Sequence, residues 1–262
     1  MSVLAPFLQS LARLIFGFLV SRHGMERAFG FPEASDAVGA YEQFAEWVAL
    51  PGGVLMMLGL FTRPAGLVLS LVYFGLYVAV PLQTGWWPHR NGGDPVLLNA
   101  FFFLFIAAAG GGALSLDRLR DPQGEAASDR RWAPQAQRAL GLLRMAAGVL
   151  FMFHGWEKWF GIGGGNGDIN LNTVRGFAGL LETVGGPLIS LGLFTRVVAF
   201  VLSGQMAVAY FTTWAPRGFW ASFSGAGMEA SILFSFLYLF LWSAGPGAWS
   251  LDAALARRST DR

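Results

Sequence analysis

RLIFGFLVSRHGMERAFG, residues Arg13 to Gly30, decides the reading, because RMAAGVLFMFHGWEKWFG follows at Arg144 to Gly161. Arg13, Gly17, His23, Gly24, Glu26, Phe29 and Gly30 each recur 131 positions on, and Lys158 answers Arg27. Working outward, Gly52-Gly53 and Gly59-Leu60-Phe61-Thr62-Arg63 return 133 positions later as Gly185-Gly186 and Gly192-Leu193-Phe194-Thr195-Arg196. Ser115-Leu116-Asp117 returns as Ser250-Leu251-Asp252. Matches in fixed order, with an offset drifting only from 131 to 135, describe one unit of about 130 residues written twice.

The composition is that of a membrane protein. Hydrophobic residues make up 54% and charged residues only 13%, with 24 Phe and 10 Trp, so too little charge is left to wet two soluble bundles. Each unit holds four apolar stretches: Leu8–Phe29, Tyr41–Phe61, Pro64–Leu82 and Pro95–Gly111, then Ala139–Phe160, Thr173–Phe194, Arg196–Trp214 and Met228–Ala244. Each is long enough for a helix to cross a hydrocarbon layer ~30 Å thick. The expected fold is all-α, with eight transmembrane helices in two four-helix bundles. The units span residues 1–117 and 139–255, joined by a polar linker at 118–138 and followed by a tail at 256–262. Arg13 within the first stretch, and its internal counterpart in the second unit, argue against a cleavable signal.

With the N-terminus inside, Arg13, Arg63, Arg118, Arg120, Arg130, Arg131, Arg138, Arg144, Arg196, Arg257, Arg258 and Arg262 fall on the cytoplasmic side. Arg22, Arg27, Arg90, Lys158, Arg175 and Arg217 fall opposite. Twelve against six favours both termini in the cytoplasm, in the inner membrane of a bacterium or archaeon. The net charge of +2 is then a topology signal and implies no nucleic-acid partner. Trp86, Trp87, Trp214 and Trp220 stand where an aromatic belt is expected.

The turns carry structural signals. Thr62 and Thr195 sit where a hydroxyl would cap the next helix, with Pro64 in its tolerant first turn. The Gly-Gly pairs allow close helix packing. The run Gly163-Gly164-Gly165-Asn166-Gly167-Asp168 lacks the Gly-Lys-Ser/Thr of a phosphate loop and reads as a connection. The absence of cysteine excludes disulfide exchange and thiolate-held zinc or iron–sulfur clusters in this chain.

Ionisable groups at membrane depth are costly and mark candidate sites. His154, Glu157 and Lys158 share one broad helix face near its outer end. Glu182 lies nine residues into the next helix, ~14 Å deep, within reach of His154 at ~9 Å. Glu229 opens the last helix and would complete the cluster. Such a set inside an aromatic cavity suits proton-coupled chemistry on a quinone. His154 with Trp156 and Trp159, and His23 with Glu26 in the first unit, would line that cofactor. As a metal motif His-x-x-Glu is weak, and no metal set is read from it. The first unit has Ala49 in place of Glu182, Asp94 in place of Glu229, and Met25 and Ala28 in place of the two tryptophans. Glu46 lies one turn nearer the surface than Ala49. The second unit is therefore the expected active half.

HGWEKWFG, Glu182-x-x-Gly185-Gly186, GLFTR, a Glu opening the last helix, and GPGxxSLD together resemble the DoxX family of small four-helix membrane proteins. The second unit matches well and the first more loosely, so the chain resembles a tandem fusion. Relatives in that family include the DoxD/DoxA thiosulfate:quinone oxidoreductase and members of oxidative-stress complexes. The resemblance implies a quinone-linked oxidoreductase component with no haem or iron–sulfur cluster, or a non-catalytic subunit docking a soluble redox protein. A small-solute transporter is the third reading. Self-association into a homo-oligomer stays open.

Overall fold

The computed structural model describes residues 2–31, 38–165, 167, 170–217 and 226–260. Asn166, Asp168, Trp220 and Arg262, named above, lie outside them. The described residues form helices only: α1 (Ala5–Phe29), α2 (Ala40–Leu58), α3 (Thr62–Ala79), a short α4 (Pro81–Thr84), α5 (Gly93–Ala109), α6 (Leu116–Arg120), α7 (Pro122–Phe160), α8 (Val174–Leu191), α9 (Thr195–Ala209), α10 (Ala226–Ala244) and α11 (Leu251–Thr260). A π turn, Tyr210–Trp214, and a 3-10 turn, Ala215–Arg217, extend α9.

Among the described residues three segments, Thr62–Thr84, Pro122–Phe160 and Thr195–Trp214, are long and apolar enough to cross a membrane. Gly93–Ala109 and Met228–Ala244 are shorter apolar helices. α1 falls short in composition because it carries Arg13, Arg22, Glu26 and Arg27, and α8 because it carries Arg175 and Glu182. On α3 and α9, Leu67, Val68, Leu71, Val197, Phe200 and Val201 are exposed, an apolar face suited to lipid.

Residues 118–138, expected as the linker, are mostly helical. Most of them belong to α7, which starts at Pro122 with Asp121 accepting from the Gly124 N–H at 2.9 Å. Pro at the first helical position costs no hydrogen bond there.

The glycines set the closest helix contacts. A Cβ on Gly17 would fall 2.8 Å from the Gly53 carbonyl, and one on Gly148 would fall 2.7 Å from that of Gly186. α1 therefore lies against α2, and α7 against α8, at backbone distance.

Thr62 and Thr195 do not cap. The residue before each, Phe61 or Phe194, takes a left-handed backbone (φ 50° and 51°), which is uncommon for a bulky side chain. The freed N–H groups are met from far along the chain. Asp117 accepts from the Phe61 and Thr62 amides, both at 2.8 Å, and Asp252 accepts from those of Phe194 and Thr195 at 2.8 and 2.9 Å. The Ser-Leu-Asp motif is thus the cap of the Gly-Leu-Phe-Thr-Arg helix. It ties the end of each half back to its middle.

Arg13 and Arg144, placed at the cytoplasmic side by the sequence, are not free surface charges. Both are buried, and each guanidinium closes the same junction. Arg13 donates from Nε to the Gly111 carbonyl (2.9 Å), from Nη2 to Leu114 (2.6 Å) and from Nη1 to Met56. Arg144 donates to Pro246 (2.7 Å), Trp249 (2.9 Å) and Ile189 (2.6 Å). The end of α2 or α8 and the turn after α5 or α10 thereby find donors for their free carbonyls.

The halves also cross over. α1 packs against α10, and α5 against α7, so the first helix of each half meets the last helix of the other. Phe105 of α5 and Phe240 of α10 meet at this centre, ring centroids 5.2 Å apart.

Candidate functional site

The crossing places two polar clusters at the same end of the molecule. In the first, His23 Nε2 lies 3.1 Å from Glu229 Oε2, a contact between α1 and α10. Arg22 pairs with Glu26 one turn on (3.3 Å), and Glu26 stands 3.8 Å from His23 Nδ1. Arg27 donates to Glu46 of α2 at 2.6 Å. Glu229 is buried. Glu229 therefore joins His23, and not the group around His154 as the sequence suggests.

Beside this cluster lies a cavity of about 300 Å³. Arg22, His23, Glu46, Tyr73, Asn99 and Glu229 supply its polar lining, while Ala45, Ala49, Leu76, Val80 and Val96 supply an apolar wall. Asn99 is fully buried and donates to the Pro95 carbonyl at 2.9 Å, leaving its Oδ1 without a partner. The space has a cause in the sequence. Ala49 stands where the second half has Glu182, and Arg27 turns to Glu46 instead of filling the gap.

The second cluster is closed. Lys158 Nζ donates to both oxygens of Glu182 at 2.6 Å, and Gln205 Nε2 donates to Oε1 at 3.1 Å. His154 does not meet Glu182. Its Nε2 lies 2.8 Å from Asp94 Oδ2, and His89 Nδ1 lies 3.1 Å from the same oxygen. Glu157 faces Arg90 (3.1 Å) and the far nitrogen of His89 (3.6 Å). The shared face of His154, Glu157 and Lys158 thus divides between two sets of partners, and the cavity beside His23 is lined mainly by the first half, with Glu229 from the second.

Trp156 packs near Phe153, centroids 6.4 Å apart, and Trp159 lies over Gly179, so neither lines the cavity. Trp87 is no belt residue: it is buried and stacks on Phe153 at 4.4 Å. Trp86 is exposed. The sequence reading missed His89, Tyr73, Asn99 and Gln205. His89 had a signal: it is one of three histidines, five residues before Asp94 in a Trp-Trp-Pro-His-Arg loop.

Described residues that are all helical, with lipid-suited faces, buried arginine junctions and paired ionisable clusters, are those of a helical membrane protein. A DoxX family model matches residues 139–215. An uncharacterised protein of Haemophilus influenzae is 38% identical over 118 residues, covering 43% of this chain and 87% of the relative. An uncharacterised membrane protein of Mycobacterium tuberculosis is 34% identical over 135 residues, 45% of this chain and 82% of that protein. The chain belongs to the DoxX family. No solved structure matches it.

Proposed function

We propose that this protein is a quinone-linked redox component of the bacterial inner membrane, and that the cavity of the first half takes the quinone head group. The reading includes two copies of one four-helix unit, eight crossings and cytoplasmic termini. The matched arginine junctions and aspartate caps support the two-copy part.

The cavity carries the functional part. Its volume is at the lower end of small-molecule pockets, and a few polar groups converge on one side of an apolar wall, as such pockets require. When bound, a quinone would accept two electrons and two protons. Asn99 Oδ1, buried without a partner, suits a ligand hydroxyl. His23, coupled to Glu229, holds a proton beside the cavity and passes it to an oxygen atom placed there. Arg22 supplies positive charge next to that atom. The electrons come from a substrate such as a sulfur oxyanion or from a soluble partner protein, since the chain has no thiolates of its own.

The test is to purify the chain in mild detergent, extract bound small molecules and identify them by mass spectrometry. The variant Ala49→Trp blocks the cavity, and Glu182→Gln alters only the closed cluster. A stoichiometric quinone lost from Ala49→Trp and kept by Glu182→Gln supports the reading. An empty wild-type protein that also fails to bind added ubiquinone or menaquinone sinks it, and favours a docking subunit.

A further inference from the structure

We infer that His89, Asp94 and His154 form a binding site for a divalent first-row transition cation, Zn2+ or Fe2+ in chemistry, that joins the two halves of the chain. Each residue offers one donor atom, and the three donors all lie within 4.8 Å of one another. Metal bonds of about 2.0–2.2 Å place neighbouring ligand atoms roughly 3–3.5 Å apart. Asp94 Oδ2 already stands 2.8 Å from His154 Nε2 and 3.1 Å from His89 Nδ1. Two imidazoles and one carboxylate suit zinc or ferrous iron and leave coordination positions open.

Three observations separate this set from an ordinary hydrogen-bond network. His154 Nε2 and His89 Nδ1 converge on one Asp94 oxygen, at 2.8 and 3.1 Å. Asp94 is buried, and its Oδ1 also lacks a partner. The two imidazole rings lie 3.8 Å apart between centroids, so both cannot carry a proton's charge without strong repulsion. A bound cation satisfies all three conditions with both histidines neutral.

The surroundings fit. Glu157 Oε2 stands 3.6 Å from His89 Nε2 and is itself held by Arg90, the arrangement by which an outer carboxylate fixes the orientation of a metal-bound imidazole. Asp94 and His89 come from the first half and His154 from the second. This site is separate from the cavity beside His23 and stands or falls independently of the quinone.

The experiment uses full-length protein with a non-histidine affinity tag, stripped with chelator in detergent and titrated with Co2+ alone, read by its visible absorption bands. Zn2+ is then added as competitor. One equivalent of Co2+ with ligand-field bands, displaced by Zn2+, is expected. Asp94→Asn and His89→Gln should each weaken binding by more than 100-fold. Glu157→Gln should weaken it about 10–100-fold. His23→Ala, which removes the remaining histidine, should bind like wild type. Gel filtration confirms that each variant is monodisperse, and the loop position of His89 makes His89→Gln the safer of the two ligand variants. Absence of saturable Co2+ bands in the wild type, binding as tight as wild type by both His89→Gln and Asp94→Asn, or loss on His23→Ala would each overturn the site.

Discussion

Replacing Arg144 by Met tests whether the buried arginine holds the fold. A fully buried guanidinium has two opposed effects. Its desolvation favours replacement by an apolar side chain of similar length. Against that, the carbonyls it serves do not vanish with it. Arg144 bonds the Ile189, Pro246 and Trp249 carbonyls within 3.0 Å. Hydrogen bonds to a charged group contribute about 1.5–3 kcal/mol each, giving roughly 4–9 kcal/mol for three. Trp249 is exposed, so its carbonyl has access to water in the variant, whereas Ile189 is fully buried. The lower end, about 4 kcal/mol, is the expected loss. At roughly 2–4 °C per kcal/mol this lowers the melting temperature by about 8–16 °C. Arg144→Lys should recover little, because one ammonium cannot fork across carbonyls from two segments. The assay is thermal unfolding in mild detergent followed by tryptophan fluorescence. Arg13→Met provides an internal replicate. A change under about 4 °C, or a stabilised Met variant, would show that desolvation dominates and that the junction is not what holds the helices.

Two further outcomes follow from contacts already described. Gly148→Val should cost more than about 3 kcal/mol, because even a Cβ falls 2.5 Å from the Ser190 amide, whereas Gly204→Ala meets nothing within 4 Å and should leave the melting curve unchanged or raise it slightly. Lys158→Met strands the buried Glu182 carboxylate and should cost about 3–5 kcal/mol, and adding Glu182→Met should restore most of it. A double variant no better than the single one would show that the pair is not coupled, by the same melts run as a double-mutant cycle.

Much of the helical order is legible in the chain because apolar stretches and their glycine breaks recur. The stretch Met228–Ala244 coincides with the C-terminal part of α10, and the Gly17–Gly53 and Gly148–Gly186 contacts answer the glycine pairs. Which helix meets which is not legible. The cost of ionisable groups at membrane depth marks His23 and His154 as site candidates, but it cannot show that their partners lie in the opposite half. Arg13 and Arg144 read as surface charges because an arginine bound by carbonyls looks, in sequence, like one bound by phosphates. Asp117 and Asp252 look like loop residues for the same reason: their acceptors serve amides more than fifty residues away. The cavity has a sequence trace, Ala49 for Glu182, but a missing side chain reads as loss of a site and not as the making of room.

The contact between α1 and α10 also sets a clock on biogenesis. His23 and Glu229 are separated by 206 residues. At a synthesis rate of about 5–20 residues per second, roughly 10–40 s pass between the emergence of one partner and the other. During that interval α1 has no α10 to lean on, and the seam beside it is open to lipid or to an insertion factor. Glu26 comes one turn after Arg22 and so reaches the membrane with it, which gives the nascent helix a local counter-charge. The last long helix therefore completes the first, and truncation anywhere before Glu229 leaves His23 without the carboxylate it meets in the finished protein.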